Sequence, residues 1–322
     1  MQAETMQQAQ DKLQSLTESL WIFSAFTVLA ESGDIDVLNE KTTISNLKKT
    51  SKLPEQILEQ AIHLLVETGL LISENETIRL ATGMQELVKK MGLERISSQL
   101  NVTAGLTTEF IKSARDKDLI PGWHYKDELI LQSQGKLSEH IVIECMSQDA
   151  KLQSLLKKPQ THLLDIGAGV GKISLRLCQM YDNVKVVALE PADAPFQLAK
   201  KNIEASHYAA RVDLRKIYLE ELADTNLYDV AWFPHMFFSN SILNVSISKI
   251  WNALQPGGML ATSAIFPDAN NLSIRVKQLI NSLYGGLRTG DELIKALSDG
   301  GFKDIQVFSE ISGYRTITAC KL

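Results

Sequence analysis

The sequence predicts an α/β protein, with a parallel sheet of βαβ units in its C-terminal half and a mostly helical region before it. Three observations carry this. From about residue 160 onward, short apolar runs alternate with amphipathic helical stretches. A glycine-rich turn directly follows the first of those runs, at His162–Gly171. The first hundred or so residues instead place apolar side chains at helical spacing, interrupted by one short ribbon. No internal repeat is visible.

At 322 residues the chain is long for one compact domain and comfortable for two. Texture divides it into a helical region at 1–100, a helical linker at 101–157 and the sheet-forming region at 158–322. An apolar content of 44% with 22% charged residues argues against disorder on the scale of a domain. A formal charge of −5 argues against a protein built for nucleic acid or an anionic membrane. The three cysteines, Cys145, Cys178 and Cys320, lie far apart, which supports neither a disulfide framework nor a zinc site, and no metal is expected. Cys178 sits in an apolar stretch and reads as a small buried hydrophobe. The N-terminus lacks the basic start of a signal peptide, and the longest apolar run, Leu20–Ala30, is too short to span a bilayer. A cytoplasmic protein is the expectation.

In the first region, Leu20–Ala30 with Ile35, Val37 and Leu38 reads as a buried helix. Thr43 is placed to cap a short helix holding Ile44 and Leu47. Pro54 opens another, with Ile57, Ala61, Leu64 and Leu65 on one face, and Gly69 ends it. Leu70–Ile72 and Thr77–Leu80, separated by Ser73–Glu76, form a two-stranded ribbon. Helix, helix and ribbon in this order resemble a winged helix. The helix that would enter a DNA groove carries Glu55, Glu59 and Glu67 and no Lys or Arg, so it would repel phosphates. Packing or dimerisation suits the module better than DNA binding.

The most informative segment is His162-Leu163-Leu164-Asp165-Ile166-Gly167-Ala168-Gly169-Val170-Gly171. Glycines let a backbone approach a ligand without Cβ clashes, and N–H groups at the start of the following helix attract anionic groups. A phosphate-binding P-loop needs Gly-Lys followed by Ser or Thr, but Ile173 follows Gly171–Lys172. The dinucleotide fingerprint wants a third glycine where Lys172 stands. Val184–Leu189 is an uninterrupted strand ending in Glu190, where an acidic side chain can accept both hydroxyls of a ribose. The alternative for Glu190 is a solvated strand end.

The spacing Asp165-x-Gly167-x-Gly169-x-Gly171 resembles the first motif of Rossmann-like, S-adenosylmethionine (SAM)-dependent methyltransferases, whose loop wraps the methionine end of SAM. From Gly122 to Cys320 the chain is similar to small-molecule O-methyltransferases with an N-terminal winged-helix dimerisation domain. The pieces stand in order: strands at Val212–Ile217 and at Tyr228–Phe233, ending in Pro234; a helix at Ile242–Leu254; and the turn Gln255-Pro256-Gly257-Gly258. A fifth strand follows at Met259–Phe266, and then Asp304–Phe308 and Tyr314–Cys320. The resemblance implies a seven-stranded sheet whose last hairpin is antiparallel. It implies SAM as cofactor and S-adenosylhomocysteine (SAH) as product. The cofactor-binding positions it implies are Asp165, Gly167, Gly169, Gly171, Glu190, Pro191, Tyr218, Leu219 and Phe233. The family commonly has an acidic residue at the position of Tyr218, where it bonds the adenine amino group. Here Ile217 and Leu219 are placed to sandwich the ring, and Tyr218 to stack on it or bond through its hydroxyl.

Methyl transfer is an in-line displacement, so the protein mainly aligns the nucleophile and excludes water. A phenol or carboxylic acid must also be ionised, by a nearby base. His235, just past the fourth strand, is the leading base, and in the O-methyltransferases a catalytic His also follows that strand. Here Met236–Phe237–Phe238 replaces the family's Asp-Trp pair, and the other reading of His235 is a side chain packed at the pocket rim. His124, in the cluster Trp123-His124-Tyr125, is a second base candidate, with interdomain packing as its alternative. Trp123, Tyr125, Met236, Phe237 and Tyr284 would line a large aromatic pocket for a planar or hydrophobic acceptor. His63 and His162 read as core or strand positions, His207 as a surface turn and His140 as packing.

The expected function is methylation of a small molecule at a hydroxyl. The alternatives are transfer to nitrogen or carbon, and a SAM-binding protein or regulator that transfers no methyl. The helix around Leu13–Phe26 is apolar on one face, and family members of this architecture dimerise by exchanging such helices, so a homodimer is expected. No nucleic-acid or membrane partner is.

Overall fold

The computed structural model describes residues 5–116, 123, 125–267, 271–286 and 288–322. Contacts divide the chain into two compact units, 1–107 and 108–322.

The first unit begins with α1 (Met6–Ser32), which Gly33 ends in the left-handed region at φ 87°. α2 (Asp34–Leu38), a two-residue β1 (Thr42–Thr43), α3 (Ile44–Thr50) and α4 (Glu55–Glu67) follow. Then come β2 (Leu71–Glu74), β3 (Thr77–Leu80), α5 (Thr82–Met91) and α6 (Leu93–Ser113), which runs across the division. The Thr43 hydroxyl accepts from the Asn46 N–H at 3.1 Å, so α3 starts where its capping residue dictates. Asn75 and Glu76, both at positive φ, form the two-residue turn between β2 and β3, a geometry that matches strand twist. β1 pairs with β3 as a third strand that the sequence reading lacks.

Two expectations are corrected here. Phe26, Leu29 and Ala30 join the core with Ile35, Leu38, Leu47, Leu58, Ile62 and Leu65, but Leu20 and Trp21 are exposed. The helix begins at Met6, and only its last turns reach the core. His63 is exposed, because the buried face of α4 is set by Leu58, Ala61, Ile62 and Leu65. Lys48 of α3 pairs with Glu55 at 2.6 Å and also with Glu59, so its one positive charge is matched by two acidic side chains of α4.

The second unit contains α7 (Glu128–Ser147) and α8 (Ala150–Leu156), then β4 (Thr161–Ile166), α9 (Lys172–Met180), β5 (Val184–Leu189) and α10 (Asp193–Glu204). β6 (Val212–Arg215), β7 (Tyr228–Trp232), α11 (Leu243–Ala253) and β8 (Leu254–Ala264) continue the alternation. α12 (Leu272–Tyr284), α13 (Gly290–Asp299), β9 (Lys303–Ile311) and β10 (Tyr314–Cys320) complete it. The predicted β6 is two residues too long, since Lys216 and Ile217 lead into a 3-10 turn at Leu219–Glu221. The Gln255–Gly258 turn is absorbed into β8 as an irregularity against β7. A Cβ at Gly258 would lie 2.9 Å from the Tyr228 carbonyl oxygen, so the strands close only on a glycine.

The sheet order is β6-β5-β4-β7-β8-β10-β9, parallel except for β10, which is antiparallel to both neighbours. The chain winds outward from β4 to β6, then returns to the other side of β4 at β7. That reversal leaves a crevice beyond the carboxyl ends of β4 and β7, where open α/β sheets bind ligands. One apolar layer contains Leu164, Ile166, Leu189 and Phe233, and a second contains Leu163, Val186, Val230 and Trp232. These alternate along each strand, as side chains on opposite sheet faces must. Among the described residues, no helix is long and apolar enough to cross a membrane.

Candidate functional site

β4 and β5 run parallel with Asp165 opposite Ala188 and Ile166 opposite Leu189. This register delivers the glycine turn and Glu190 side by side. Gly167, Gly169 and Gly171 all have positive φ, at 67°, 57° and 78°, a region costly for residues with a Cβ. The turn is stitched to the next strand by Ala168 N–H donating to the Leu189 carbonyl at 2.8 Å. The Gly169 N–H donates to Glu190 Oε2 at 2.8 Å, and the Ala192 N–H to Oε1 at 2.9 Å. A carboxylate has about four acceptor sites, so two sites on Glu190 remain for further donors. Burial pushes the Glu190 carboxyl up to about 7; the N–H groups of Ala192 and Gly169 oppose this, and nearby Asp165 adds to it.

Asp165 is fully buried and sits at the root of the turn. Its Oδ2 accepts from the Ser174 hydroxyl at 2.6 Å, tying the first turn of α9 to β4. Its Oδ1 is buried without a partner. Burial raises this carboxyl to about 6, with Ser174 pulling the other way.

On the β7 side, a Cβ built on Gly167 would lie 3.7 Å from the Pro234 ring. Phe233 is fully buried, with its ring 5.0 Å from that of Phe238. Leu219 is buried, whereas Tyr218 is 62% exposed, with its N–H donating to Glu221 Oε2. Pro191 follows Glu190 into the start of α10. His235 is buried, with Nδ1 3.4 Å from the Thr262 hydroxyl. Burial pulls its pKa down to about 4, and hydrogen bonds to the backbone at Arg288 and Ser263 oppose this only in part.

The structure brings four of the five predicted pocket residues into one aromatic group. Trp123 contacts Tyr125, Tyr284 and Phe237 at centroid distances of 4.7, 5.2 and 5.5 Å. Phe237 meets Tyr284 at 5.1 Å, all within the range of favourable ring pairs. Met236 is buried beneath Gly286, where a Cβ would lie 2.4 Å from the Met236 carbonyl oxygen. The Tyr125 hydroxyl is buried without a partner, and burial pushes it up to about 12. Tyr284 is raised further for the same reason. His124 lies outside the described residues. His140 bonds the Lys136 carbonyl within its own helix and His207 is on an exposed turn.

Residues 163–258 match the family model described as a methyltransferase domain. Within the second unit, the stretch holding the glycine turn, Glu190 and β7 is thus similar to a methyltransferase domain. A curated relative, the release factor glutamine methyltransferase of Rhodopirellula baltica, is 25% identical over 205 residues. That match covers 59% of this chain and spans 66% of the relative's length, just under two thirds. Among solved structures, human N-acetylserotonin methyltransferase in complex with SAM is similar over 100% of this chain and 99% of its own, with a TM-score of 0.70 at 15% identity. An O-methyltransferase family protein from Burkholderia thailandensis covers 99% of each chain, with a TM-score of 0.69 at 13% identity. At these identities the structural likeness shows the fold: the seven-stranded mixed sheet and the helical region before it.

The residues at these strand ends fit SAM. A Cβ at Gly169 would meet nothing within 4 Å, so this glycine faces open space. The orphaned Asp165 Oδ1 and the two remaining acceptor sites of Glu190 lie at the same strand ends. Among the described residues, no cluster of His, Cys, Asp and Glu could hold a metal ion. Sequence reasoning missed Ser174, Gln132, Asn202 and Gly135, which hold the turn from behind. A glycine in the middle of a helical stretch, at Gly135, was the one available signal.

Proposed function

We propose that this chain transfers the methyl group of SAM to a hydroxyl of a small aromatic or hydrophobic acceptor and releases SAH. The observation that carries this is the aromatic group of Trp123, Tyr125, Phe237 and Tyr284. Phe237 belongs to the segment that directly follows β7, and that segment also borders the glycine turn at Pro234. In this reading Asp165 and Gly167–Gly171 hold the amino-acid end of SAM, and Glu190 with Pro191 its ribose. Tyr218, Leu219 and Phe233 flank the adenine, and Met236 stands behind the acceptor wall. SAM, when bound, supplies a methyl group already activated by a sulfonium. The protein then needs to align the nucleophile and exclude water. The human relative is named for N-acetylserotonin, which agrees with an acceptor of this kind.

Tyr125, Tyr284 and His235 at this wall are neutral near pH 7. The pKa of about 4 leaves His235 a weak proton acceptor and favours a packing role in which it anchors the β7 segment to Thr262. His124 is the remaining base candidate. Incubating the chain with SAM and panels of phenols, carboxylic acids and amines, with SAH release as the readout, tests the reading. Release with the hydroxyl panel is expected. Release only with amines moves the reaction to nitrogen, and no release with any panel leaves a SAM-binding protein without transfer.

The same reading makes the protein a homodimer. Met6, Leu13, Leu16, Leu20 and Trp21 are exposed on α1, and an apolar stripe of this size suits a second copy. Light scattering at two concentrations checks it. The glutamates that neutralise Lys48 count against a DNA partner. Three free, buried cysteines agree with a cytoplasmic location.

A further inference from the structure

The glycine turn is the part of this domain least able to hold its own shape. Three glycines in five residues give it more conformational freedom to lose than any other stretch of the sheet edge. Val170, between its second and third glycines, is fixed from outside. The Asn202 side-chain Nδ2 on α10 donates to the Val170 carbonyl at 2.9 Å. The same amide group donates to Gln132 Oε1 on α7 at 3.1 Å, and Gln132 Nε2 donates back to Asn202 Oδ1 at 3.3 Å. Both hydrogens of the Asn202 amide are thereby used, and its orientation is set by Gln132. The Val170 side chain, almost fully buried, lies against Gly135 one turn further along α7, where a Cβ would come within 2.3 Å of Val170 Cγ2. Backbone and side chain of one residue are thus clamped by two helices that lie outside the glycine motif.

We propose that Gln132 and Asn202 are positioning residues for the cofactor: a reciprocal amide pair that pre-organises the glycine turn through the Val170 carbonyl. This rests on the turn being the SAM site. Pre-organisation of this kind acts by reducing the ordering that binding requires. Asn202 holds Val170 directly and Gln132 acts only through Asn202, so the two contributions are not independent.

The test is SAH binding by calorimetry to the full chain carrying Asn202→Leu, Gln132→Leu or both, with thermal unfolding alongside. Loss of one hydrogen bond to the turn corresponds to about a tenfold weaker Kd for Asn202→Leu. Gln132→Leu is expected to weaken binding about threefold, and the double variant no more than Asn202→Leu alone. Asn202→Asp, equal in shape but without the donor, is expected to reproduce the loss if the leucine variant folds poorly. Wild-type Kd in Asn202→Asp overturns the proposal, as do losses that simply add in the double variant. If the unmodified chain itself fails to bind SAH, the cofactor site falls and the proposal with it. Normal binding by the unmodified chain with unaffected variants removes the amide pair alone.

Discussion

Cofactor binding is expected to depend on pH through Glu190. In the unliganded domain, burial places this carboxyl at about 7, so half of the molecules carry it protonated at neutral pH. Ribose hydroxyls donate, and the Gly169 and Ala192 N–H groups already occupy two acceptor sites, so the ionised form is the one that binds. The ionised fraction rises from roughly a tenth at pH 6 to roughly nine tenths at pH 8. Affinity for SAH therefore strengthens by about tenfold over that interval, or about 1.4 kcal/mol. Binding at pH 7 also releases about half a proton, by the same linkage. Calorimetry in two buffers of different ionisation enthalpy reads both quantities. Glu190→Gln is expected to bind weakly with a much flatter profile, leaving only what Asp165 contributes near pH 6. A flat profile in the unmodified chain, or an unchanged slope in Glu190→Gln, would mean that Glu190 does not set the pH dependence of binding.

Gly169→Ala keeps its Cβ clear of the protein but forces alanine to φ 57°, so a stability loss of about 1–2 kcal/mol is expected in urea unfolding. SAH binding should fall much further than that, because the Cβ enters the space where the ligand approaches; an unchanged Kd would count against the site. Gly135→Ala gains about 0.5–1 kcal/mol of helix propensity but meets Val170, and overpacking of about 1–3 kcal/mol should leave it less stable. For His235, the folded pKa of about 4 lies below the unfolded value near 6.5. Its stability contribution is therefore present above pH 6.5 and is lost as pH falls towards 4, to a total of about 3 kcal/mol. The difference in unfolding free energy between the unmodified chain and His235→Asn should follow that course, and a difference independent of pH would contradict it. Phe237→Ala should raise the KM for an aromatic acceptor by about thirtyfold, about 2 kcal/mol of lost burial, while the SAH Kd stays unchanged.

What could be read from the sequence was whatever is encoded locally. β5 falls at Val184–Leu189 as its β-branched, mostly apolar run dictates, and Thr43 and Gly69 act at helix ends because their chemistry is local. The glycine turn was legible because each glycine is required by its own φ. Contacts between distant elements leave no such trace. Nothing near Gln132 announces Asn202, seventy residues away, and burial of His235 follows from β8 packing over the β7 segment, not from its neighbours in sequence. The exposure of Leu20 and Trp21 was missed because an apolar run looks the same whether it meets its own core or another surface. The aromatic group was foreseen residue by residue, while its close mutual packing came from the structure.

A crystal structure of the chain with SAH tests the cofactor site most directly. Density for SAH is expected across Gly167–Gly171, with both ribose hydroxyls on the Glu190 carboxylate and the sulfur directed towards Phe237 and Tyr284. SAH bound away from this turn, or a turn that stays without SAH under saturating ligand, would contradict it.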